Sequence, residues 1–241
     1  PLCRLDNTLS SETAKVLENS YRATNIAFME EWGRYAEELN IDMFKIVESI
    51  RKRPTHSNIR QPGFGVGGYC LTKDPLFAKW AATNFFNTNL DFEFCNMAVK
   101  TNRKMPLVTL KYAEKILHNL KNKKILVLGI SYKQEVGDTR HSPTKIFVEE
   151  ALTKGAIISC HDSLVSEWDE MKDVTIYNII PPFESFDLLI FAVPHEEYRR
   201  IDFSQKDLKI LDANNVLTDK QIKNIKEHNN YLFSIGKGEG K

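Results

Sequence analysis

The chain has 241 residues, 42% of them hydrophobic, and its 33 Lys+Arg against 32 Asp+Glu leave a formal net charge of +1. That balance excludes the concentrated positive field of a nucleic-acid binder and leaves any charged ligand to a local site. No apolar run approaches the roughly 20 residues that span a bilayer, and the N-terminus shows no basic region followed by an apolar stretch. Cys3, Cys70, Cys95 and Cys160 are far apart, with no CxxC or Cys/His ligand spacing, so zinc is not expected and a reducing, cytoplasmic setting fits.

From Ser11 to Lys52 the apolar residues Val16, Leu17, Tyr21, Ile26, Phe28, Met29, Trp32, Tyr35, Ala36 and Leu39 fall at helical spacing, with Gly and Pro nearly absent. "SSET" before "AKVLEN" offers a serine N-cap, and "NID" at Asn40 suggests a break before "MFKIVESI". A glycine-rich stretch follows, "QPGFGVGGYCLTKDP" at 61–75. After it a second helical region is expected from Asp74 to Asn119, which Pro106 either kinks or divides. Beyond Lys121 short β-branched runs alternate with amphipathic segments: "KKILVLGIS", "SPTKIFVEEALTKG", "AIISCHD", "VTIYN", "DLLIFAV", "LKILDAN" and "DKQIKNIKEHN". Strand and helix in that alternation predict a doubly wound parallel sheet. Ser142 and Pro143 suit a helix start and Gly155 its end, while the tail "GKGEGK" reads as disordered. The fold class expected is therefore α/β: an all-α unit over 1–120 followed by a Rossmann-like unit over 121–241.

Three features carry chemistry. In the glycine-rich stretch, Gly63, Gly65, Gly67 and Gly68 let backbone approach a ligand, and "YCLTKDPLF" reads as the start of a helix. A thiol there sits where the helix dipole and free amides favour a nucleophilic thiolate, and Asp74, four residues after Cys70, shares its face as a candidate base; a packed small cysteine remains the alternative. On the first helix, Lys15 and Asn19 repeat the i, i+4 spacing, and a partly buried cation beside an amide donor would stabilise an oxyanion. The loop "LGISYKQEVGDTRHS" follows the first strand without a G-x-G-x-x-G fingerprint. It places Lys133 and Arg140 beyond a strand end, with Arg140 beside a helix start, where phosphates are met.

Together, "ETAKVLENSYRATNIA", "PGFGVGGYCLTKDP" and "VLGISYKQEVGDTRHSP" resemble the middle and C-terminal parts of the UDP-glucose/GDP-mannose dehydrogenase family, in the family's order and over nearly the whole chain. That resemblance implies oxidation of the C6 alcohol of a nucleotide sugar to the uronate with two NAD+, through an aldehyde and a cysteine thioester. By it, Cys70 is the thioester-forming nucleophile, Lys15 and Asn19 stabilise the oxyanion and hold water, and Asp74 is base or water-orienting group. Gly65, Gly67 and Gly68 line the sugar pocket, Lys133 contacts the nucleotide sugar, and Arg140 contacts the NAD phosphates. Arg53 or Arg60 corresponds to the arginine that reaches a neighbouring subunit's site. A homodimer through the central, all-α dimerisation domain is implied, as is a product that feeds surface polysaccharide synthesis.

Two departures accompany the resemblance. The family's N-terminal NAD-binding domain is absent from this sequence, which opens on "PLCRLDNT" without Met and is expected to be a truncation or to work with a separately encoded domain. Asn214 in "ILDANNVL" stands where many relatives carry a substrate-contacting arginine. The form "PGFGVGGYC" leans towards a UDP-N-acetylhexosamine as substrate, ahead of UDP-glucose and then GDP-mannose. The alternative is a non-catalytic module that dimerises and binds a UDP-sugar.

Overall fold

The computed structural model describes residues 3–239. A helical first half, α1 (Thr8–Leu39), α2 (Met43–Arg51), α3 (Cys70–Asn84) and α4 (Glu93–Leu117), is followed by a sheet with α5 (Pro143–Thr153) and α6 (Asp219–Glu227). Helix α1 begins earlier than "SSET" suggests, because the Asn7 side chain accepts from Ser10 N–H at 2.8 Å and takes the N-cap role. Its end is as expected: Asn40 adopts the left-handed conformation, and Asp42 caps α2 by accepting from Phe44 and Lys45 N–H. The second helical region is two helices rather than one, and Pro106 lies inside a continuous, buried stretch of α4. Packing of that stretch compensates for the hydrogen bond a proline cannot donate.

The sheet consists of β1 (Lys124–Leu128), β2 (Ile157–His161), β3 (Thr175–Tyr177), β4 (Leu188–Phe191), β5 (Lys209–Asp212), β6 (Tyr231–Ser234) and β7 (Gly238–Glu239), in the order β3-β2-β1-β4-β5-β6-β7. All neighbours are parallel except β6 and β7. Both faces are covered, which is why the central strands read as unbroken apolar runs. Ile125 and Val127 point into a core with Leu110, Ala113, Phe147 and Val148 from α4 and α5. Leu126 and Leu128 point into the opposite core with Tyr198, Phe203 and Ile225. The order reverses between β1 and β4, so their carboxyl ends open the crevice where ligands of such sheets bind. The tail corrects the expectation of disorder over residues 236–239: β7 pairs with β6, and Glu239 N–H donates to Asn40 Oδ1 at 3.0 Å. The last two residues of "GKGEGK" lie outside the described residues.

A buried ionic cluster joins the two halves. Arg34 donates to Glu30 at 2.9 Å and to Glu37 at 2.7 Å, and both carboxylates are nearly inaccessible. Glu30 in turn accepts the Gly63 N–H at 3.0 Å, and Glu37 accepts the Gly236 N–H at 2.7 Å and the Tyr112 hydroxyl at 2.7 Å. Tyr112 stacks on Phe233 of β6, with ring centroids 4.1 Å apart. Burial pushes the Glu30 carboxyl above its ordinary value, against the pull of Arg34 and the Gly63 amide. Replacing Arg34 by Met leaves two buried carboxylates without a counter-charge. Urea unfolding of Arg34→Met at neutral pH is expected to show a loss of about 3–5 kcal/mol, shrinking as the pH is lowered and the carboxylates protonate.

Candidate functional site

The glycine-rich stretch runs between α1 and the carboxyl ends of the sheet, and its glycines are required by crowding. A Cβ on Gly65 would stand 2.5 Å from Pro143, and one on Gly67 would stand 2.6 Å from Tyr132 Cβ and 2.8 Å from the His141 carbonyl oxygen. Gly68 has φ +74° and donates its N–H to the Arg140 carbonyl at 3.2 Å. The stretch is thereby fastened to the β1–α5 loop and delivers Cys70 as the first residue of α3, with an exposed thiol.

Asp74 lies one turn along α3, and its Oδ2 accepts from Asn19 Nδ2 at 2.8 Å. Asn19 is fully buried and its Oδ1 has no hydrogen-bond partner. Asn19 of α1 and Asp74 of α3 are therefore brought together, with Cys70 one turn before Asp74 on the same helix. Lys15 is not the partly buried cation expected from its neighbours: its side chain is 58% exposed and pairs with Glu18 at 3.2 Å. The long side chain reaches solvent from the rim of an apolar-walled groove of about 760 Å³ that Asp74 also lines.

Next to Cys70, the Tyr69 ring is flanked by Arg140, 5.1 Å from its centroid, by Lys73 at 5.9 Å, and edge-on by His141 at 4.8 Å. Arg140 is exposed and forked onto Asp138, with bonds of 2.9 and 3.0 Å from its Nε. The guanidinium and the adjoining aromatic ring stand beside the start of α3, and the loop provides no G-x-G-x-x-G cradle for a pyrophosphate.

On the other side of the glycine stretch is a cleft of about 410 Å³, lined among others by Arg60, Gly63, Gly65, Gln134, Arg199 and Asn214. Arg60 is half-buried and is held by its own N–H donating to Asn25 Oδ1 at 2.9 Å, while Arg53 is exposed away from the cleft. Lys133 is exposed on the β1–α5 loop, near Gln134 in sequence. Gly67 and Gly68 do not line this cleft; they press on Tyr132. The Asn214 amide donates to the Ala192 carbonyl at 2.9 Å. Buried Asp212 sets up that position, accepting the N–H of Asn214, Val216 and Leu217. Burial pushes the Asp212 carboxyl up despite those amides. Gln134 lies inside the "VLGISYKQEVGDTRHSP" motif but draws no attention beside Lys133, and Arg199 lies in no motif; only the topology places their loops side by side. Asp162, after β2, anchors the start of the Lys133 loop by accepting from Ile130 and Ser131 N–H, both at 3.0 Å. Burial alone would raise this carboxyl, but bonds from His195 and those amides hold it down to about 2.

Residues 9–104 match the central domain of the UDP-glucose/GDP-mannose dehydrogenase family, and residues 126–223 match that family's UDP binding domain. The chain belongs to this family. Among curated members it is 29% identical over 223 residues to the UDP-N-acetyl-D-mannosamine dehydrogenase of Methanocaldococcus jannaschii, covering 88% of this chain and 49% of that protein. The chain thus spans about half the length of the curated relatives it matches. Among solved members, the UDP-D-ManNAc dehydrogenase of Pyrococcus horikoshii superposes with a TM-score of 0.77 at 26% identity, over 96% of this chain and 53% of that one. The NDP-N-acetyl-D-galactosaminuronic acid dehydrogenase of Methanosarcina mazei shares the fold, with a TM-score of 0.81 at 23% identity, over 96% and 51% of the two chains.

The crowding at the glycines makes an asymmetric forecast. Gly67→Ala meets a Cβ and a backbone carbonyl and is expected to cost about 1–3 kcal/mol in denaturant unfolding. Gly63→Ala meets only the far end of the Asn214 side chain, which relieves the clash by turning off the Ala192 carbonyl, so its loss should be the smaller of the two.

Proposed function

We propose that this chain is the central and C-terminal part of an NAD-dependent nucleotide-sugar 6-dehydrogenase acting on a UDP-N-acetylhexosamine, organised as a helical domain over 1–120 and a nucleotide-sugar-binding domain over 121–241. The observation that carries the reading is the Asn19–Asp74 hydrogen bond of 2.8 Å beside an exposed cysteine at a helix start. The names of the relatives favour the N-acetylhexosamine over UDP-glucose or GDP-mannose, as does "PGFGVGGYC".

On this reading the UDP moiety occupies the cleft, with Arg60 and Lys133 meeting its phosphates and Gly65 leaving room for the sugar. A bound nicotinamide cofactor supplies the acceptor for the hydride removed at each of the two oxidations, and Arg140 would meet its phosphate. Cys70 sulfur adds to the C6 aldehyde carbon, and loss of a hydride and the hydroxyl proton from that adduct leaves the thioester. Asp74 takes a proton from the water that then adds to the thioester carbonyl, and the C–S bond breaks to give the carboxylate and the free thiol. Asn19 is suited to keep Asp74, and through it that water, in place by its amide bond to the carboxylate. Lys15, at the groove rim, is free to exchange Glu18 for a developing oxyanion.

A homodimer is supported by an apolar stripe on the outside of α1. Leu17, Tyr21, Phe28, Trp32, Tyr35 and Leu39 are all about half exposed or more, at the spacing of one helix face. No helix among the described residues is long and apolar enough to cross a membrane. A module that binds and dimerises without turning over is the second reading, since the stripe and cleft need no cofactor.

Three measurements test these points. A thermal-shift panel on this chain should show a UDP-N-acetylhexosamine raising Tm above bare UDP; at a hundredfold excess over Kd the stabilisation is about 2.7 kcal/mol, and no shift with any UDP-sugar removes the reading. Cys70→Ala in the whole protein should abolish uronate formation, and retained turnover would rule out the thioester. Trp32→Glu should shift the sedimenting species from dimer towards monomer, since it places a charge in the stripe.

A further inference from the structure

Beside the cleft, the loops that follow β1 and β4 are joined through a buried imidazole. His195 is 1% exposed; its Nδ1 accepts the Glu135 N–H at 3.1 Å, while its Nε2 lies 3.1 Å from Ser131 Oγ and 3.3 Å from Asp162 Oδ2. The Ser131 hydroxyl donates to the Lys133 carbonyl at 3.2 Å, so the proton between Ser131 and His195 belongs to Nε2. An accepting Nδ1 and a protonated Nε2 define the neutral ring. Glu135 closes the staple from its own side, its Oε1 accepting the Glu196 N–H at 2.9 Å. Residues 131–135 are thus bound to residues 195–196, and the cleft residues Gln134 and Arg199 are carried on the two sides of this joint.

Charged and titratable groups surround the ring on every side: Asp162 and His161 at the end of β2, Glu135 on the loop after β1, and Glu197 and Tyr198 on its own turn. Burial disfavours a charge on the ring, but the bond and field of Asp162, with Glu135 and Glu197, outweigh it and push the ring above the ordinary imidazole value. Bond geometry thus favours the neutral ring while the field favours the charged one. Protonation would remove the lone pair that accepts the Glu135 N–H. The nearest alternative partner is Glu135 Oε1, 3.5 Å from Nδ1, which already holds the Glu196 amide.

We propose that His195 is a positioning residue for the cleft: when neutral it staples the Lys133–Glu135 segment to the Pro194–Arg199 turn, and when protonated it releases the Glu135 amide and loosens the wall that meets the phosphates. This rests on the reading of the cleft as a nucleotide-sugar site. The probe is UDP-N-acetylmannosamine, whose diphosphate diester does not itself titrate near neutrality. Its Kd and the Glu135 amide resonance are followed together between about pH 5.5 and about pH 8. In the unmodified chain the amide should titrate and the Kd should weaken by about tenfold towards acid.

His195→Gln presents an acceptor to Glu135 and a donor to Asp162 but carries no titrating ring, so both profiles should flatten near the high-pH values. A Glu135 amide that does not titrate, or a His195→Gln protein that keeps the original pH profile, overturns the proposal. Where His195→Gln does not fold, Glu135→Gln serves: it removes a carboxylate from a half-exposed position and should lower the midpoint of the amide titration, and an unchanged midpoint counts against the staple. Absence of UDP-sugar binding at any pH, with the amide still titrating, overturns the nucleotide-sugar reading while the staple stands.

Discussion

The structure depends on one guanidinium. Arg34 gathers Glu30 and Glu37 inside the protein, and each carboxylate also accepts a backbone amide from elsewhere: Gly63 at the start of the glycine stretch, Gly236 at the turn after β6. Two desolvated acids would be a liability in the middle of a long helix. Sharing one cation, they become fixed points from which loops are hung. Because Glu30 and Glu37 lie on the same face of α1 as Ala23 and Ala27, the helix presents small residues for close packing and then a polar node for registration. The consequence reaches the candidate site directly, since the position of Gly63 sets where Gly65, Gly68 and finally Cys70 can be.

Those glycines show how much the site depends on short distances. The stretch approaches Tyr132, His141 and Pro143 so closely that several Cβ positions are already occupied. The same short stretch lines the arginine-bearing cleft with Gly63 and Gly65 and then leads into α3, where Cys70 and Asp74 stand.

Much of this was legible from the residues. The strand–helix alternation after Lys121 led to the observed sheet because parallel strands buried on both faces leave unbroken apolar runs, as in "ILVL" and "LLIF". Ser142 and Pro143 identified the start of α5 because they satisfy orphan amides locally. Sequence spacing also brought Cys70 and Asp74 together. It failed where the deciding partner is distant. Lys15 looked buried from its neighbours, but Glu18 and open solvent claim its ammonium group. The tail looked too glycine-rich to order, but Asn40 and β6 supply partners that composition does not show. Asn7 outcompeted the serines for the cap, a choice between equivalent side chains that depends on where the chain turns into the helix. Arg199, Gln134 and His195 became meaningful only once β1 and β4 were neighbours.

The closure between α1 and β7 also has a kinetic meaning. Gly236 to Glu37, and Glu239 to Asn40, each join residues 199 positions apart. Such contacts add nothing until both halves exist, so the entropy of closing that loop must be met before they contribute. The helical half has local contacts to grow from and the parallel sheet does not. The last strand, and with it the seating of Glu37, therefore belongs to the final stage of folding, and the first helix remains incomplete in its contacts until nearly the whole chain has been made.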